Sequence, residues 1–566
     1  DLREIKGVTV IIYDQGCATE KRRKRKRGII EDPIQKVFIN HLVCEGCGDC
    51  SSKSNCISVE PLQTQFGTKR KINQSTCNKD FSCQDGFCPS FITVEKGKIK
   101  TRSAIKENID KKISDLPLPK LPELDKTYNI VVTGIGGTGV VTIGALIGMA
   151  AHIENKGVTV LDQIGLAQKG GAVTSHIKIA KDSKSIFSSQ INNYSSNFLL
   201  GTDLVVSASK EVRELINPET TVSVVNDNET PLSQFVLNSE FAINNSLNKR
   251  LIENHSFKSD FLNTSEISQL IFGNSIYSNI FQIGYAFQKG LIPIKSSSFI
   301  KAVELNNIKI NENINAFNWG RIAANDINYV LNKLNIRKFK EEKLNIDKLI
   351  ETRYIDLINY QNKKYANLFT QTINITKNKL KKLRIKDNAY IENIAKVLYK
   401  TMAYKDEYEV ARLYTDGRFQ EELNKNYESY ERIYLHLSPP FLGLKDKYSN
   451  KPRKIKVTSK ILYIFNILKR LKFLRNTIID PFSYNYERKL ERKLVKKCFE
   501  TIATLNNKIS KNNYHNANEV IKTFLMIKGY GHVKLKNIKS FEIELKQKLE
   551  IFEKNSNKKS PKIAAE

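Results

Sequence analysis

Seven of the nine cysteines fall between Cys44 and Cys88. They are spaced Cys44-x2-Cys47-x2-Cys50, then Cys56, Cys77, Cys83 and Cys88-Pro89. A disulfide framework needs an oxidising compartment, and nothing in the sequence signals export. Such tight clustering inside a chain of 566 residues points to metal. Soft thiolates suit iron–sulfur clusters or zinc. Zinc is usually held by paired C-x2-C units, so the triple run favours iron–sulfur. Three thiolates at two-residue gaps can wrap one face of a cubane, with the fourth supplied by a distant Cys-Pro. We therefore assign Cys44, Cys47, Cys50 and Cys88 to one [4Fe-4S] cluster. The usual bacterial run has three residues before its fourth cysteine and a proline after it. Here five residues precede Cys56, and Ile57 follows it. Cys56, Cys77 and Cys83 could hold a three-iron cluster, or four irons with a non-cysteine ligand such as Asp80, or be structural thiols. One cluster or two are thus expected. Their role is one-electron relay, with a purely structural cluster as the alternative. Cys17 and Cys498 are isolated and read as packed or free thiols.

The length suggests three or four domains. Hydrophobic residues make up 40% of the chain, enough to build cores. No run of about eighteen apolar residues occurs, so no membrane partner is expected. No signal peptide is visible, and the expected location is cytoplasmic. The net charge of +32 suits a nucleic-acid or anionic-membrane partner. However, Lys, Asn and Ile are abundant throughout, which reads as compositional bias. The one true cluster, Lys21 to Arg27, suits a localisation signal, an RNA-binding arm, or a rim for an acidic protein partner.

Residues 1–28 contain the strand-like run Val8 to Tyr13 and read as the end of a domain whose body is missing. Residues 29–95 read as a small ferredoxin-like iron–sulfur segment. Residues 96–127 read as a linker, with three prolines between Leu116 and Pro122 favouring an extended spacer. Residues 128–335 alternate strand, glycine-rich turn, helix and strand. Tyr128 to Thr133, Val158 to Leu161 and Asp203 to Ser207 read as strands of a doubly wound, parallel α/β sheet. Residues 336–566 show helical spacing and read as a mostly helical domain, frayed from Asn555 onward. The expected class is α/β plus α. No internal repeat is seen.

Gly134, Gly136, Gly137 and Gly139 form G-x-G-x-x-G after a strand and before a helix, and Asp162 ends the next strand. Such a turn lets backbone approach a phosphate at a helix start. Tight strand–helix packing is the plain alternative. Lys169-Gly170-Gly171 is a second candidate, able to clamp a phosphate or carboxylate. Lys405, Asp406, Glu407 and Arg412 read as ordinary surface ion pairs on one helix. His532, among glycines, reads as a turn histidine, with a substrate or anion ligand as the alternative.

Taken together, these residues resemble the fused indolepyruvate ferredoxin oxidoreductases. The resemblance rests on five stretches in a specific order. The first is Tyr13-Asp14-Gln15 and Cys17 with Glu20 to Arg23. The second is Cys44 to Pro89, and the third Thr133 to Val140 with Gly165 to Val173, similar to the family's gamma-type domain. The fourth is Gly284 to Pro293 with Glu304 to Asn306 and Ala316 to Arg321. The fifth is Met402 to Leu413 with Gly529 to Lys534. The resemblance implies an oxidoreductase: an arylpyruvate loses carbon dioxide on thiamine diphosphate, electrons leave singly through iron–sulfur to ferredoxin, and the acyl group passes to coenzyme A. The family does not use NAD, so the glycine turn becomes a packing element or a contact near thiamine diphosphate or coenzyme A.

One departure matters. No G-D-G occurs to hold magnesium and the diphosphate, so thiamine diphosphate and Mg belong to a missing part, and this chain alone should not decarboxylate. The expected partners are ferredoxin, the missing thiamine-diphosphate domain and, in the complete enzyme, further copies of the same chain. No nucleic-acid partner is expected. Two rival readings remain: a nucleotide-dependent iron–sulfur reductase, and a basic nucleic-acid-binding protein with a structural metal.

Overall fold

The computed structural model describes all residues except 1, 13, 15, 101–108, 166–170, 229–234, 236–244, 337–344, 439–452 and 557–566. Tyr13, Gln15, Lys169, Gly170 and most of the frayed end thus lie outside the described residues.

Val8 to Ile12 form no strand, and their large side chains are exposed. Their β-branched pattern lacks a neighbouring strand among the described residues, and strand propensity alone does not make a sheet. The basic run instead lies in the helix Ala18–Lys26.

The cysteine segment carries β1 (Gln35–Ile39), β2 (Val59–Thr64), β3 (Gly67–Ile72), β4 (Phe91–Glu95) and β5 (Lys98–Ile99). β1 pairs antiparallel with β4, and β2 with β3. A segment this short cannot bury enough surface by itself. Its core is completed by Leu413, Tyr414, Phe419, Leu435 and Tyr530, from far along the chain.

The α/β part holds β6 (Tyr128–Ile135), β7 (Gly157–Ile164), β8 (Ala172–Ala180), β9 (Phe198–Gly201), β10 (Val222–Asn226) and β11 (Lys258–Leu262). The six strands lie in the order β11-β10-β9-β6-β8-β7. β6, β9, β10 and β11 are parallel, and apolar residues cover both faces. The parallel sheet expected from sequence holds for these four strands and is corrected at one edge. β8 is antiparallel to both β6 and β7. The connection from Ile164 to Ala172 is too short for a crossover, so β8 must return antiparallel. A second correction concerns Asp203 to Ser207. This is a helical turn, Leu204–Ser207, whose Asp203 side chain accepts hydrogen bonds from the Val205 and Val206 amides. A short β-branched run reads the same either way until its cap is seen.

Helices Ser278–Gln288 and Ile310–Asn325 cross closely. A Cβ on Gly284 would stand 1.9 Å from the Phe317 carbonyl oxygen, and one on Gly320 2.0 Å from that of Phe281. Leu116, Leu121 and Leu124 of the expected spacer pack against this core.

The C-terminal part is mostly helical, around a core from Leu349 to Phe552. It also supplies β12 (Tyr427–Ser429), β13 (Arg432–Leu437) and β14 (Ile455–Thr458). β13 pairs with β4 to give a sheet β1-β4-β13-β14, while β12 pairs with β5. No helix among the described residues is long and apolar enough to cross a membrane.

Candidate metal centre

The seven cysteines form two groups. Cys44, Cys50 and Cys88 are buried and Cys47 is half-buried. The Cys47 thiol is pushed up to about 11 by burial, with Cys44 adding to the rise. Burial, then Cys44 and Cys47, likewise raise Cys50 and Cys88. Cys44 and Cys47 thus act on both Cys50 and Cys88, and Cys50 also feels Cys83 of the second group. The second group is Cys56, Cys77 and Cys83. Cys83 is pushed up to about 12 by burial, then by Cys77 and Cys56. Thiols held protonated in this way bind metal only by releasing protons.

The two groups sit in two halves of one internal repeat, which the sequence reading missed. Each half runs strand, Asn, three residues, Cys. β1 ends one residue before Asn40 and β3 one residue before Asn73. The Cys44 and Cys77 amides donate to the Asn40 and Asn73 carbonyls, each at 3.0 Å. The Asn40 Oδ1 accepts from the Leu42 amide at 3.1 Å, and that of Asn73 from the Ser75 amide at 3.0 Å. Exchanging the halves turns the β1–β4 pairing into β3–β2. Cys56 leaves the first half to join Cys77 and Cys83, and Cys88 leaves the second to join Cys44 and Cys47.

The first group is tightly enclosed. The Gly46 amide donates to Cys44 Sγ at 3.3 Å, and Cys88 Sγ is 2.8 Å from Ser90 Oγ. Gly46 has φ +66°, and a Cβ there would stand 2.3 Å from the Thr68 carbonyl oxygen. Tyr530 donates to the Val43 carbonyl at 2.6 Å, and Tyr414 to that of Pro89 at 2.6 Å. The Phe87 and His532 rings pack at 5.0 Å. Lys405 bonds the Val43 and Cys44 carbonyls and Glu45. Lys454 donates to the Gln84 and Gly86 carbonyls. Burial would raise the Glu45 carboxyl, but Lys405 and Lys69 hold it well below its ordinary value. Lys69 falls to about 8, through burial and then Lys405.

Sequence reasoning missed Tyr414, Tyr530, Lys454 and Lys69, and misread the ion pairs. Lys405, Asp406, Glu407 and Arg412 are not surface groups. Asp406 caps the helix Glu407–Thr415 and pairs with buried Arg475 at 2.6 Å. Arg412 pairs with Glu409 at 2.6 Å and Asp356 at 3.1 Å, and Arg488 with Glu407 at 3.1 Å. One face of this helix packs into the core around the cysteines, and its charged groups meet Asp356, Arg475 and Arg488 of the helical part.

The second group faces the basic helix. Arg22 donates to the Thr76 carbonyl at 2.7 Å, and Arg25 to that of Asn78. Next to it opens a cleft of about 540 Å³, lined by Arg22, Asn73, Gly136, Gly137, Thr202 and Asn226, among others. Those of the α/β part lie past the carboxyl ends of parallel strands, where such sheets bind ligands. Within the turn, Gly134 is a packing residue, because a Cβ there would stand 2.1 Å from Thr202 Oγ1. Gly137 has φ +86° and open space, and Gly139 has φ +99°. The Gly136 amide donates to the Gly171 carbonyl at 2.7 Å. Asp162 does not complete a dinucleotide site. Its strand, β7, is separated from β6 by β8, whereas such a site needs the acid on the neighbouring parallel strand.

Among the described residues, no group of three or more His, Cys, Asp or Glu side chains is arranged to hold a metal ion. The ligands of one ion crowd a point, whereas thiolates around a cubane stand at the corners of a larger body. For a cubane the first group fits by its chemistry: soft buried donors, N–H and O–H groups beside the sulfurs, and cations to offset thiolate charge.

Residues 129–323 match the family model described as pyruvate ferredoxin/flavodoxin oxidoreductase. Residues 346–547 match a family of unknown function, DUF6537. The indolepyruvate oxidoreductase subunit IorB of Pyrococcus horikoshii is 27% identical over 207 residues, covering 36% of this chain and 98% of the relative. The subunit of that name from Thermococcus kodakarensis is 25% identical over 207 residues, with the same 36% and 98% coverage. Among solved structures, the pyruvate oxidoreductase subunit PORC of Thermotoga maritima is 16% identical with a TM-score of 0.27, covering 35% of this chain and 96% of that one. The keto/oxoacid ferredoxin oxidoreductase gamma subunit of Geobacter sulfurreducens is 20% identical with a TM-score of 0.25, covering 35% and 98%. Over residues 129–323 the chain is thus similar to the 2-oxoacid ferredoxin oxidoreductases.

Proposed function

We propose that the chain is the electron-relaying and accessory part of an indolepyruvate or arylpyruvate ferredoxin oxidoreductase. The overall reaction takes a 2-oxoacid, coenzyme A and two oxidised ferredoxins to an acyl-CoA, carbon dioxide, a proton and two reduced ferredoxins. Thiamine diphosphate and Mg are assigned to a part outside these residues. The observation that carries the reading is the enclosed group Cys44, Cys47, Cys50 and Cys88.

A [4Fe-4S] cluster held by these four thiolates would supply one-electron transfer. The chain's own residues do the rest. The Gly46 amide and Ser90 hydroxyl tune the sulfurs by hydrogen bonding. Tyr414, Tyr530 and Phe87 close the surroundings against water. Lys405, Lys69 and Lys454 lower the cost of adding negative charge. The open backbone at Gly137 and the polar strand ends Thr202 and Asn226 give coenzyme A or the diphosphate somewhere to dock. Lys169 and Gly170 are proposed to contribute there too, beside Gly171.

The test is anaerobic iron and acid-labile sulfide content of the full chain, with EPR after dithionite. About four irons or more, and a reduced cluster signal lost in Cys44→Ser, is the expected result. Zinc without sulfide would overturn the reading.

A further inference from the structure

The loop after Cys77 repeats the backbone turns of the loop after Cys44. In the first, the spacing is Cys44-x2-Cys47-x2-Cys50; in the second it is Cys77-x2-Asp80-x2-Cys83. The Gly46 amide donates to Cys44 Sγ at 3.3 Å, and the Lys79 amide to Cys77 Sγ at 3.4 Å. Gly46 and Gly48, which flank Cys47, have φ +66° and +80°. Lys79 and Phe81, which flank Asp80, have φ +54° and +64°. A helical turn then starts in both, at Asp49 and at Ser82, each capped by a left-handed residue. Glycine takes that conformation freely, but Lys and Phe adopt it only against backbone strain. The second loop keeps the same shape without glycine's freedom. Asp80 occupies the place of the middle thiolate.

We propose that Cys56, Cys77, Cys83 and Asp80 hold a second iron–sulfur cluster, in which the Asp80 carboxylate replaces a thiolate at one iron. The proposal rests on the iron–sulfur reading of the first group. Asp80 is exposed, and its Oδ1 accepts from the Ser82 amide and hydroxyl at 3.1 and 2.9 Å, leaving Oδ2 clear of these bonds. A carboxylate is a harder, more exchangeable ligand for iron than a thiolate. The iron it holds is therefore the removable one. One-electron oxidation of the cluster, with release of that iron as Fe(II), leaves a three-iron cluster on Cys56, Cys77 and Cys83. Exposed Cys17 is the competing fourth ligand, since it also lies near Arg22 beside Cys56 and Cys77.

The test uses the full chain, loaded anaerobically with ferrous iron and sulfide and then titrated with ferricyanide. The wild type should bind about eight irons, then lose about one as the signal of an oxidised three-iron cluster grows in. Asp80→Cys should keep all its iron and show no such signal, and Cys17→Ser should match the wild type. The proposal is overturned if Asp80→Cys behaves as the wild type, or if Cys17→Ser abolishes the effect. It also fails, with the first cluster left standing, if only about four irons bind and a single reduced signal remains. Absence of any iron and sulfide would sink the first reading as well.

Discussion

Lys405 Nζ lies 2.8 Å from a Glu45 carboxylate oxygen, and both side chains are largely buried. The pair ties the C-terminal part to the loop that carries Cys44 and Cys47. Replacing Lys405 by Met leaves Glu45 unpaired in a buried site. We expect a loss of about 3 kcal/mol in unfolding free energy. The double change with Glu45→Gln should cost less than the two single changes added together. Urea unfolding of the three variants checks this.

Gly46→Ala should be far more damaging than Gly67→Ala. Both positions have positive φ, at +66° and +90°, so both carry similar backbone strain. Only at Gly46 does the new methyl meet backbone, 2.3 Å from the Thr68 oxygen, while at Gly67 nothing lies within 4 Å. Iron bound per chain should fall in Gly46→Ala and stay unchanged in Gly67→Ala.

Gly284→Ala and Gly320→Ala should each force the two crossing helices apart. Overpacking of this kind costs about 1–3 kcal/mol. Differential scanning calorimetry should show a lowered transition for the α/β part in either variant.

His436 ties β13 to β4 through a 2.8 Å hydrogen bond with Thr93. Burial, then Lys454 and Lys456, hold its imidazole down to about 4 from an ordinary 6.5. Between those values the unfolded chain binds the proton and the folded one does not. Its contribution to stability is therefore complete above about 6.5 and lost as pH falls toward about 4. Melting temperature measured across that window should fall less steeply in His436→Gln.

The cysteine cluster was legible from its short spacings alone. The repeat around it was hidden because its signs are conformational. Asn40 and Asn73 align, but Gly46-Cys47-Gly48 and Lys79-Asp80-Phe81 share no residue, only φ angles. The antiparallel β8 was hidden because side-chain pattern does not show strand direction, which only the short return from β7 decides. Asp406, Glu407 and Arg412 looked like solvent-facing charges because their buried partners, Arg475, Arg488 and Asp356, lie more than 50 residues away, which helix periodicity does not reveal. Most of what encloses the first group, such as Tyr414, Tyr530 and Lys454, lies more than 300 residues from it, beyond any local pattern.

The sheet that joins β4 to β13 has a bearing on how the protein is made. On a ribosome adding roughly 5–20 residues per second, tens of seconds separate the emergence of Cys88 from that of Leu435 and Tyr530. Throughout that interval the thiols have no finished enclosure. A chain cut short between Pro89 and Ile433 therefore carries all seven clustered cysteines without the strand and side chains that enclose them.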